Sequence, residues 1–267
     1  MADTRPPGVI ASVLDIGLNK RDFTYEIIED GVSLPIDFEG QLAAGSKRMY
    51  DTWHFFLGEE KLRQSHITLL MVGSADRFNA YRGNTSPNAK PISGFYSMSK
   101  NKAVVKFKPQ RIEQTLATTF HEISHLITAS HLGPTPPWLT EGLAEYFETM
   151  KVKGQVGVIY PNQAHIKLLQ DTSIPRLSGY LAIERPEWHE EDRNRNYAIA
   201  WSLVHFLMQD SPGIDALKSV IQEAQANFCK PFSAKDALAK AYPGGLQQLE
   251  INWRRWLAAD NFQVLQT

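Results

Sequence analysis

Cysteine is nearly absent from this sequence: Cys229 is the only one among 267 residues. One cysteine cannot form an internal disulfide, and it excludes a zinc finger built from several thiolates. A sequence poor in cysteine is typical of cytosolic proteins and of many bacterial exported proteins, so cysteine usage does not decide where in the cell the protein is located.

Long apolar runs and a strong net charge are also lacking. The longest apolar run covers residues 67–72, whereas a membrane-spanning helix needs about 20 such residues. The formal net charge is -1, so we expect no nucleic-acid partner and no attraction to anionic membranes. Residues 1–7 contain no hydrophobic signal core, which leaves open a cytoplasmic protein and a trimmed, periplasmic or secreted one.

What is present is an ordinary globular composition without internal repeats, in which 43% of residues are hydrophobic and 21% are charged. Apolar patterns predict strands early in the chain and helices later. The predicted strands cover residues 23–28, 66–72 and 103–107. The predicted helices cover residues 39–57, 109–132, 135–150, 196–209, 214–227, 234–241 and 246–259.

Strands followed by helices indicate an α+β fold. We expect residues 1–133 to form a subdomain with a mixed sheet, and residues 134–267 to form a mostly helical subdomain. Residues 83–93 are rich in Gly, Asn, Ser and Pro and are predicted to form a loop. Residues 160–192 show only loop and short helical patterns.

Residues 121–125 read His-Glu-Ile-Ser-His. Residues four apart on a helix lie on one face, so the imidazoles of His121 and His125 point to the same place. Glu122 is rotated away from them, which is the geometry of a general base that acts on water at a metal ion. The helix has its apolar stripe on a different face. Two surface histidines on a helix remain the alternative interpretation.

A catalytic zinc needs a third protein ligand and one open position. The segment 137–148 reads Pro-Trp-Leu-Thr-Glu-Gly-Leu-Ala-Glu-Tyr-Phe-Glu and predicts a second helix. A tight turn between the two helices would bring Glu141 over His121 and His125. Glu145, one turn further on, would accept the free ring N–H of a ligand histidine. Without the histidine motif, both glutamates would be interpreted as a solvated helix face.

His-Glu-x-x-His followed by Trp-Leu-x-Glu-Gly-Leu-Ala-Glu-Tyr resembles the gluzincin metallopeptidases, the superfamily of thermolysin and aminopeptidase N. It is also similar to the smaller bacterial peptidase MA-like domains, in which strands precede the active-site helix and helices follow. The resemblance implies a zincin-like fold that binds one Zn²⁺ through His121, His125 and Glu141. It also implies that Glu122 is the general base in the cleavage of a peptide or protein substrate.

The sequence departs from the aminopeptidase pattern in two places. Only 15 residues separate His125 from Glu141, which requires a tight connection. The Gly-x-Met-Glu-Asn segment that captures a free amine is missing, and residues 94–101 near its place contain no carboxylate. We therefore expect an endopeptidase. A catalytically silent binding or scaffold domain, and a zinc hydrolase of non-peptide amides or esters, remain alternatives.

A rival ligand set would include His131, because His121, His125 and His131 have the spacing of the metzincin peptidases. That family requires a glycine where this chain has Thr128, since the helix must break sharply there. We therefore predict a surface or capping role for His131.

The tetrahedral oxyanion of peptide hydrolysis needs a hydrogen-bond donor besides the metal. The helix that begins near Tyr197 resembles the matching helix of peptidase MA-like domains, which makes Tyr197 the first candidate. The alternative is a packing tyrosine at a helix start. Tyr160, Tyr180 and His189 are weaker candidates, and His205 is predicted to be a hydrogen-bonded core histidine.

An extended peptide can bind by adding a strand to the exposed edge of a sheet. The strand just before the active-site helix is our candidate edge for substrate binding. It consists of Ala103, Val104, Val105, Lys106 and Phe107.

Overall fold

A computed structural model describes residues 9–16, 23–83, 92–97, 100–190, 192–228, 230–260 and 262–265. The strands are β1 (Val9–Ile16), β2 (Phe23–Asp30), β3 (His66–Val72), β4 (Gly94–Ser97), β5 (Lys102–Lys106), β6 (Met150–Lys153) and β7 (Val156–Ile159). The helices are α1 (Phe38–Leu57), α2 (Ala75–Arg82), α3 (Ile112–Leu132), α4 (Pro137–Glu148), α5 (Gln163–Gln170), α6 (Leu177–Tyr180), α7 (Arg185–Glu190), α8 (Arg193–Leu207), α9 (Ser211–Ala226), α10 (Ala234–Ala241) and α11 (Gly245–Ala259).

Five strands form a mixed sheet in the order β1-β2-β3-β5-β4. The three inner strands, β2, β3 and β5, are parallel, and the two outer strands run antiparallel to their neighbours. Strands β6 and β7 form a separate antiparallel hairpin. The architecture is therefore α+β, with an N-terminal mixed sheet followed by helices, as the sequence predicted.

Successive side chains of a strand face opposite sides of the sheet, and the two sides pack into different hydrophobic clusters. Tyr25, Leu69 and Val105 face the main core, which also contains apolar residues of α1 and α3. Leu70 and Val104 face the opposite way and pack with α2 in a smaller cluster. Since α3 lies against the sheet, the strands provide a fixed support for the His-Glu-Ile-Ser-His segment.

The helical half is built around the packing of α4 against α8. A Cβ atom added at Gly142 would lie 2.7 Å from Val204 Cγ2 and 2.8 Å from the carbonyl oxygen of Ala200, so glycine allows this close approach. One hydrophobic cluster contains residues from both halves of the chain. The predicted subdomain boundary falls between α3 and α4 and stays a prediction.

Most predicted elements are confirmed to within a few residues, including α1, β3, α10 and α11. The prediction that Pro109 opens the active-site helix is wrong, because α3 begins at Ile112 after a turn in which the N–H of Arg111 donates to the Lys108 carbonyl. Most of the predicted loop at 83–93 lies outside the described residues. None of the helices in the described ranges has the length and apolar character that a bilayer crossing requires.

The prediction that residues 103–107 form the exposed edge of the sheet is wrong. Strand β5 is hydrogen-bonded on one side to β3 and on the other side to β4, so both of its edges are used. Strand β4 precedes β5 in the chain and turns back to cover it. The outer edge on this side of the described sheet therefore belongs to β4, residues 94–97.

Candidate metal centre

Helix α3 brings two imidazoles together one turn apart. The Nε2 atoms of His121 and His125 are 3.1 Å apart, and the ring centroids are 4.8 Å apart. The helix ends at Gly133, whose φ of 69° suits a residue without a side chain. Because the chain reverses there, α4 packs directly against α3.

Helix α4 places Glu141 over this pair. Glu141 Oε2 lies 3.4 Å from His125 Nε2 and 3.9 Å from His121 Nε2. The same oxygen is buried and has no hydrogen-bond partner among the described residues. A buried carboxylate oxygen without a partner is costly, so it indicates a ligand that the polypeptide itself does not supply.

The three donor atoms fit a single zinc ion. Zinc binds imidazole nitrogen and carboxylate oxygen at about 2.0–2.2 Å, which places tetrahedral ligand atoms about 3.4 Å from one another. The observed separations of 3.1, 3.4 and 3.9 Å bracket that value. Two imidazoles and one carboxylate are also a donor set that zinc accepts, with one position left open.

The carboxylate that pairs with the His121 ring is that of Glu148. Its Oε2 atom lies 2.7 Å from His121 Nδ1, whereas Glu145 Oε1 lies 3.7 Å from that nitrogen. Glu145 Oε2 instead lies 2.7 Å from Nε2 of His165 on α5. The predicted contact of Glu145 to a ligand histidine is therefore corrected, since Glu148 makes the hydrogen bond that holds the ring of His121.

His121, Glu145 and Glu148 form a second group whose possible donor atoms lie within 4.8 Å of one another. In this group the short contacts of 2.7 Å already join each carboxylate to an imidazole. The group therefore forms a hydrogen-bonded layer behind His121.

Glu122 lies beside the first residue of β4. A Cβ atom added at Gly94 would lie 2.8 Å from Glu122 Oε1 and 2.7 Å from Thr118 Cγ2, so only glycine lets the strand approach the carboxylate this closely. Burial, reinforced by the charges of Glu141 and Glu148, raises the pKa of Glu122 to about 7. A carboxylate with this pKa exchanges protons readily at neutral pH.

The two histidines differ in charge state without a bound metal. Burial disfavours protonation of His121, but the carboxylates of Glu148, Glu122 and Glu145 outweigh burial and raise its pKa well above the ordinary value. Burial lowers the pKa of His125 to about 4, and the positive charges of His121 and Arg185 act in the same direction.

The metal donors open into a cavity of about 550 Å³. On one side it is lined by Gly94, Phe95 and Tyr96 of β4. Another part of the wall comes from α7 and α8 through Arg185, Arg193 and Tyr197. Glu122 lines the same cavity, so the candidate base, the metal donors and the outer strand share one space.

Tyr197 lies in this cavity, as the proposed donor to an oxyanion must. Its hydroxyl accepts a hydrogen bond of 3.0 Å from Arg193, and the guanidinium carbon lies 4.9 Å from the ring centroid. Burial, reinforced by the Glu141 carboxylate, raises the pKa of Tyr197 above its ordinary value. The phenol therefore keeps its proton at neutral pH and can donate it in a hydrogen bond, although its role stays a prediction.

The weaker candidates for that role lie elsewhere. The Tyr180 hydroxyl is buried and donates to the Asn196 carbonyl oxygen at 2.7 Å. Tyr160 lines a different cavity, together with Lys151 and Lys153 of the β6–β7 hairpin. The side chain of His189 lies outside the described residues.

Two further histidines, His131 and His205, are buried and hydrogen-bonded within the fold. His131 is only 3% exposed, so the predicted surface position is wrong. The capping alternative is supported, because His131 Nδ1 lies 3.0 Å from the Ile127 carbonyl oxygen in the last turn of α3, while Nε2 accepts a hydrogen bond of 3.1 Å from the Arg63 N–H. Its ring packs on Trp53, with 6.2 Å between ring centroids. His205 is fully buried, with Nε2 3.2 Å from the Gln263 carbonyl oxygen, which confirms the prediction of a hydrogen-bonded core histidine.

Sequence reasoning missed Glu148, His165 and the two arginines of the cavity. Glu148 could have been found, because it is seven residues after Glu141 and lies on the same helix face. His165, Arg185 and Arg193 lie in or beside a segment without clear periodicity, and nothing in the sequence places them near α3.

One protein family matches this chain. The model of a family described as "Protein of unknown function (DUF1570)" matches residues 115–232, a segment that contains the three donor residues, Glu122 and the α7–α8 wall of the cavity. A search of curated proteins found no match. The chain is therefore similar to a family whose description states no activity.

Proposed function

We propose that this chain is a zinc-dependent peptidase in which His121, His125 and Glu141 hold the ion and Glu122 is the general base. The observation that carries the proposal is the meeting of three donor atoms, 3.1 to 3.9 Å apart, around a buried Glu141 oxygen that no described residue satisfies. A buried carboxylate oxygen without a hydrogen-bond donor would otherwise be costly.

A zinc ion bound by these donors would polarise a substrate carbonyl and lower the pKa of water. Glu122 would take the proton from the attacking water and pass it to the leaving amine. Without a metal, burial raises the pKa of Glu122 to about 7, and a bound cation would lower it again, so that the ionised carboxylate can accept the proton of water. The protonated phenol of Tyr197 would donate a hydrogen bond to the developing oxyanion.

An extended peptide would bind along the outer edge of β4. This strand lines the cavity with Gly94, Phe95 and Tyr96, and its first residue touches the Glu122 side chain. Backbone hydrogen bonds to a strand edge hold a peptide with little regard to side chains. Strand β4 therefore replaces β5 as the proposed substrate strand, and an endopeptidase remains the proposed class.

The test is the variant Glu122→Gln, which preserves the shape of the side chain and removes its basicity. We expect it to bind zinc like the wild-type chain and to lose peptide cleavage by at least about a hundredfold, since general base catalysis contributes about 10²–10⁴. Zinc content and cleavage of a broad peptide library would be measured on both proteins. Full activity in Glu122→Gln would exclude this mechanism.

The wild-type chain could also bind zinc and yet cleave no peptide, which would contradict the proposed peptidase function. This result would favour a silent binding or scaffold domain, or a hydrolase of non-peptide amides or esters. Small amide and ester substrates, assayed with the same two proteins, would separate these alternatives.

A further inference from the structure

Two arginines line the cavity that contains the metal donors. Arg185 is the first residue of α7 and Arg193 is the first residue of α8, and both contribute to the same wall as Tyr197. Arg185 is exposed and Arg193 is half-buried, so both guanidinium groups can meet a molecule that enters from solvent.

Neither arginine forms an ion pair of hydrogen-bond length with a described residue. Arg185 makes a long contact of 3.5 Å to the Thr135 carbonyl oxygen, and Arg193 donates to the Tyr197 hydroxyl. Among the residues that the structure describes, neither has a carboxylate within 4.0 Å, although Arg193 lies near enough to Glu122 to act on the pKa of that carboxyl group. Helix stability does not explain Arg193, because a cation at the first turn opposes the helix dipole.

The remaining charges of the cavity do not neutralise the arginines. Glu122 and Glu141 are its carboxylates nearest to the donor atoms, and a divalent ion held there would match their charge. Among the described residues that line the cavity, the α7–α8 wall therefore contributes two positive charges next to the candidate reaction centre. A guanidinium group binds a carboxylate through two parallel hydrogen bonds, which gives both affinity and orientation.

From this arrangement we infer that Arg185 and Arg193 select substrates that carry a carboxylate close to the bond to be cleaved. The inference rests on the proposed peptidase function and adds a substrate class to it. The carboxylate can come from an Asp or Glu side chain or from the free C-terminus of a peptide. Arg185, which is the more exposed, makes the direct contact, and Arg193 supports it while it holds Tyr197.

Binding is measured first, with zinc-loaded Glu122→Gln, so that the peptides stay intact. One arm uses C-terminally amidated peptides in which a single Glu is moved position by position, with Gln at the same position as the reference. The second arm uses the Gln peptide with a free C-terminal carboxylate. A charged hydrogen bond predicts that one arm binds about ten- to a hundredfold more tightly than the neutral amidated peptide.

The variants Arg185→Gln and Arg193→Gln, made in the same background, should each reduce this preference. Arg185→Gln should bring the ratio of affinities close to one. Arg255→Gln is the control for loss of one positive charge, because Arg255 is exposed on α11, away from the residues that line the cavity. The ratio of affinities for acidic and neutral peptides should be the same in Arg255→Gln as in the Glu122→Gln background.

Cleavage by the chain with Glu122 intact then separates the inference from the function. Cleavage with equal kcat/KM for acidic and neutral peptides, together with equal binding, would overturn the inference and leave the peptidase intact. If the chain binds acidic peptides preferentially through Arg185 but cleaves none, the proposed peptidase function is overturned. The inferred carboxylate-binding site is then kept. If the chain shows no preference for acidic peptides and cleaves no peptide, both the inference and the proposed function are overturned.

Discussion

The Nδ1 atom of His121 lies 2.7 Å from Oε2 of Glu148, the residue two turns after the glutamate that meets the two histidines. The Nδ1–H donates to this carboxylate, so when the ring loses its second proton the lone pair is at Nε2, directed toward His125 and Glu141. Helix α4 thus supplies one donor to the candidate metal centre and also fixes the tautomer of another.

Replacement of Glu148 should therefore weaken metal binding without removal of a ligand. We expect Glu148→Ala to lower zinc affinity by about 10- to 100-fold, and Glu148→Gln to lower it less because the amide oxygen can still accept the hydrogen bond. Competition with a chromophoric chelator measures both. Glu60→Ala, at an exposed position after α1, is the matched control. Equal affinities in all four proteins would argue that Glu148 has no part in the site.

Zinc affinity should rise with pH through the neutral range. His121 has a raised pKa, so without metal it carries a proton at neutral pH that the metal must displace. Below that pKa each pH unit should lower the apparent affinity about tenfold. Calorimetry in buffers of different ionisation enthalpy would detect the released proton, and Glu148→Ala should release less. Affinity that is constant from pH 6 to 8 would contradict the assigned charge state.

Gly94→Ala should impair catalysis while zinc remains bound. The added methyl group would meet the Glu122 carboxylate and Thr118, which forces either the base or β4 to move. A displacement of about 1 Å at a catalytic group can cost about a hundredfold in rate. Zinc content and kcat would be compared with Gly40→Ala, where an added Cβ has nothing within 4 Å. Unchanged kcat in Gly94→Ala would show that the contact is unimportant.

His205 should make the fold less stable in mild acid. Burial lowers its pKa from 6.5 to about 4, so between these values the unfolded chain binds a proton that the folded chain does not. The free energy of unfolding should therefore fall by about 1.4 kcal/mol per pH unit as the pH decreases from 6.5 toward 4, and stay constant above 6.5 with respect to this residue.

Urea unfolding of the metal-free wild type and of His205→Gln at several pH values measures this contribution as a difference. The difference between the two proteins should change with the stated slope only below pH 6.5. His54→Gln is the control, because His54 is exposed on α1. A pH-independent difference for His205→Gln would mean that the ring has the same pKa in the folded and the unfolded chain.

The sequence could predict that His121, His125 and Glu141 meet, because their positions depend on local geometry. The spacing of His121 and His125 is one helical turn, and Gly133 followed by prolines allows the chain to reverse directly into α4. Once two helices are joined so tightly, few residues of α4 can face the histidines. Glu141 is one of them.

The sheet order could not be predicted in the same way. Strand β4 has four residues, too few to give a clear alternation, and its pairing with β5 depends on contacts that chain order does not reveal. For the same reason β5 was wrongly placed at the edge. The β6–β7 hairpin was also missed because each of its strands has only four residues, and α2 was missed because it is short and mostly polar.

The most direct test of the account is the metal content of the wild-type chain and of Glu141→Ala, measured together by native mass spectrometry after exposure to equimolar zinc. We predict one zinc ion per wild-type chain, and a loss of affinity in Glu141→Ala greater than the 10- to 100-fold loss expected when an outer hydrogen-bond partner is removed. Glu60→Ala should behave like wild type. A wild-type chain without bound metal, or a Glu141→Ala variant that binds zinc as tightly as wild type, would contradict the metal centre itself.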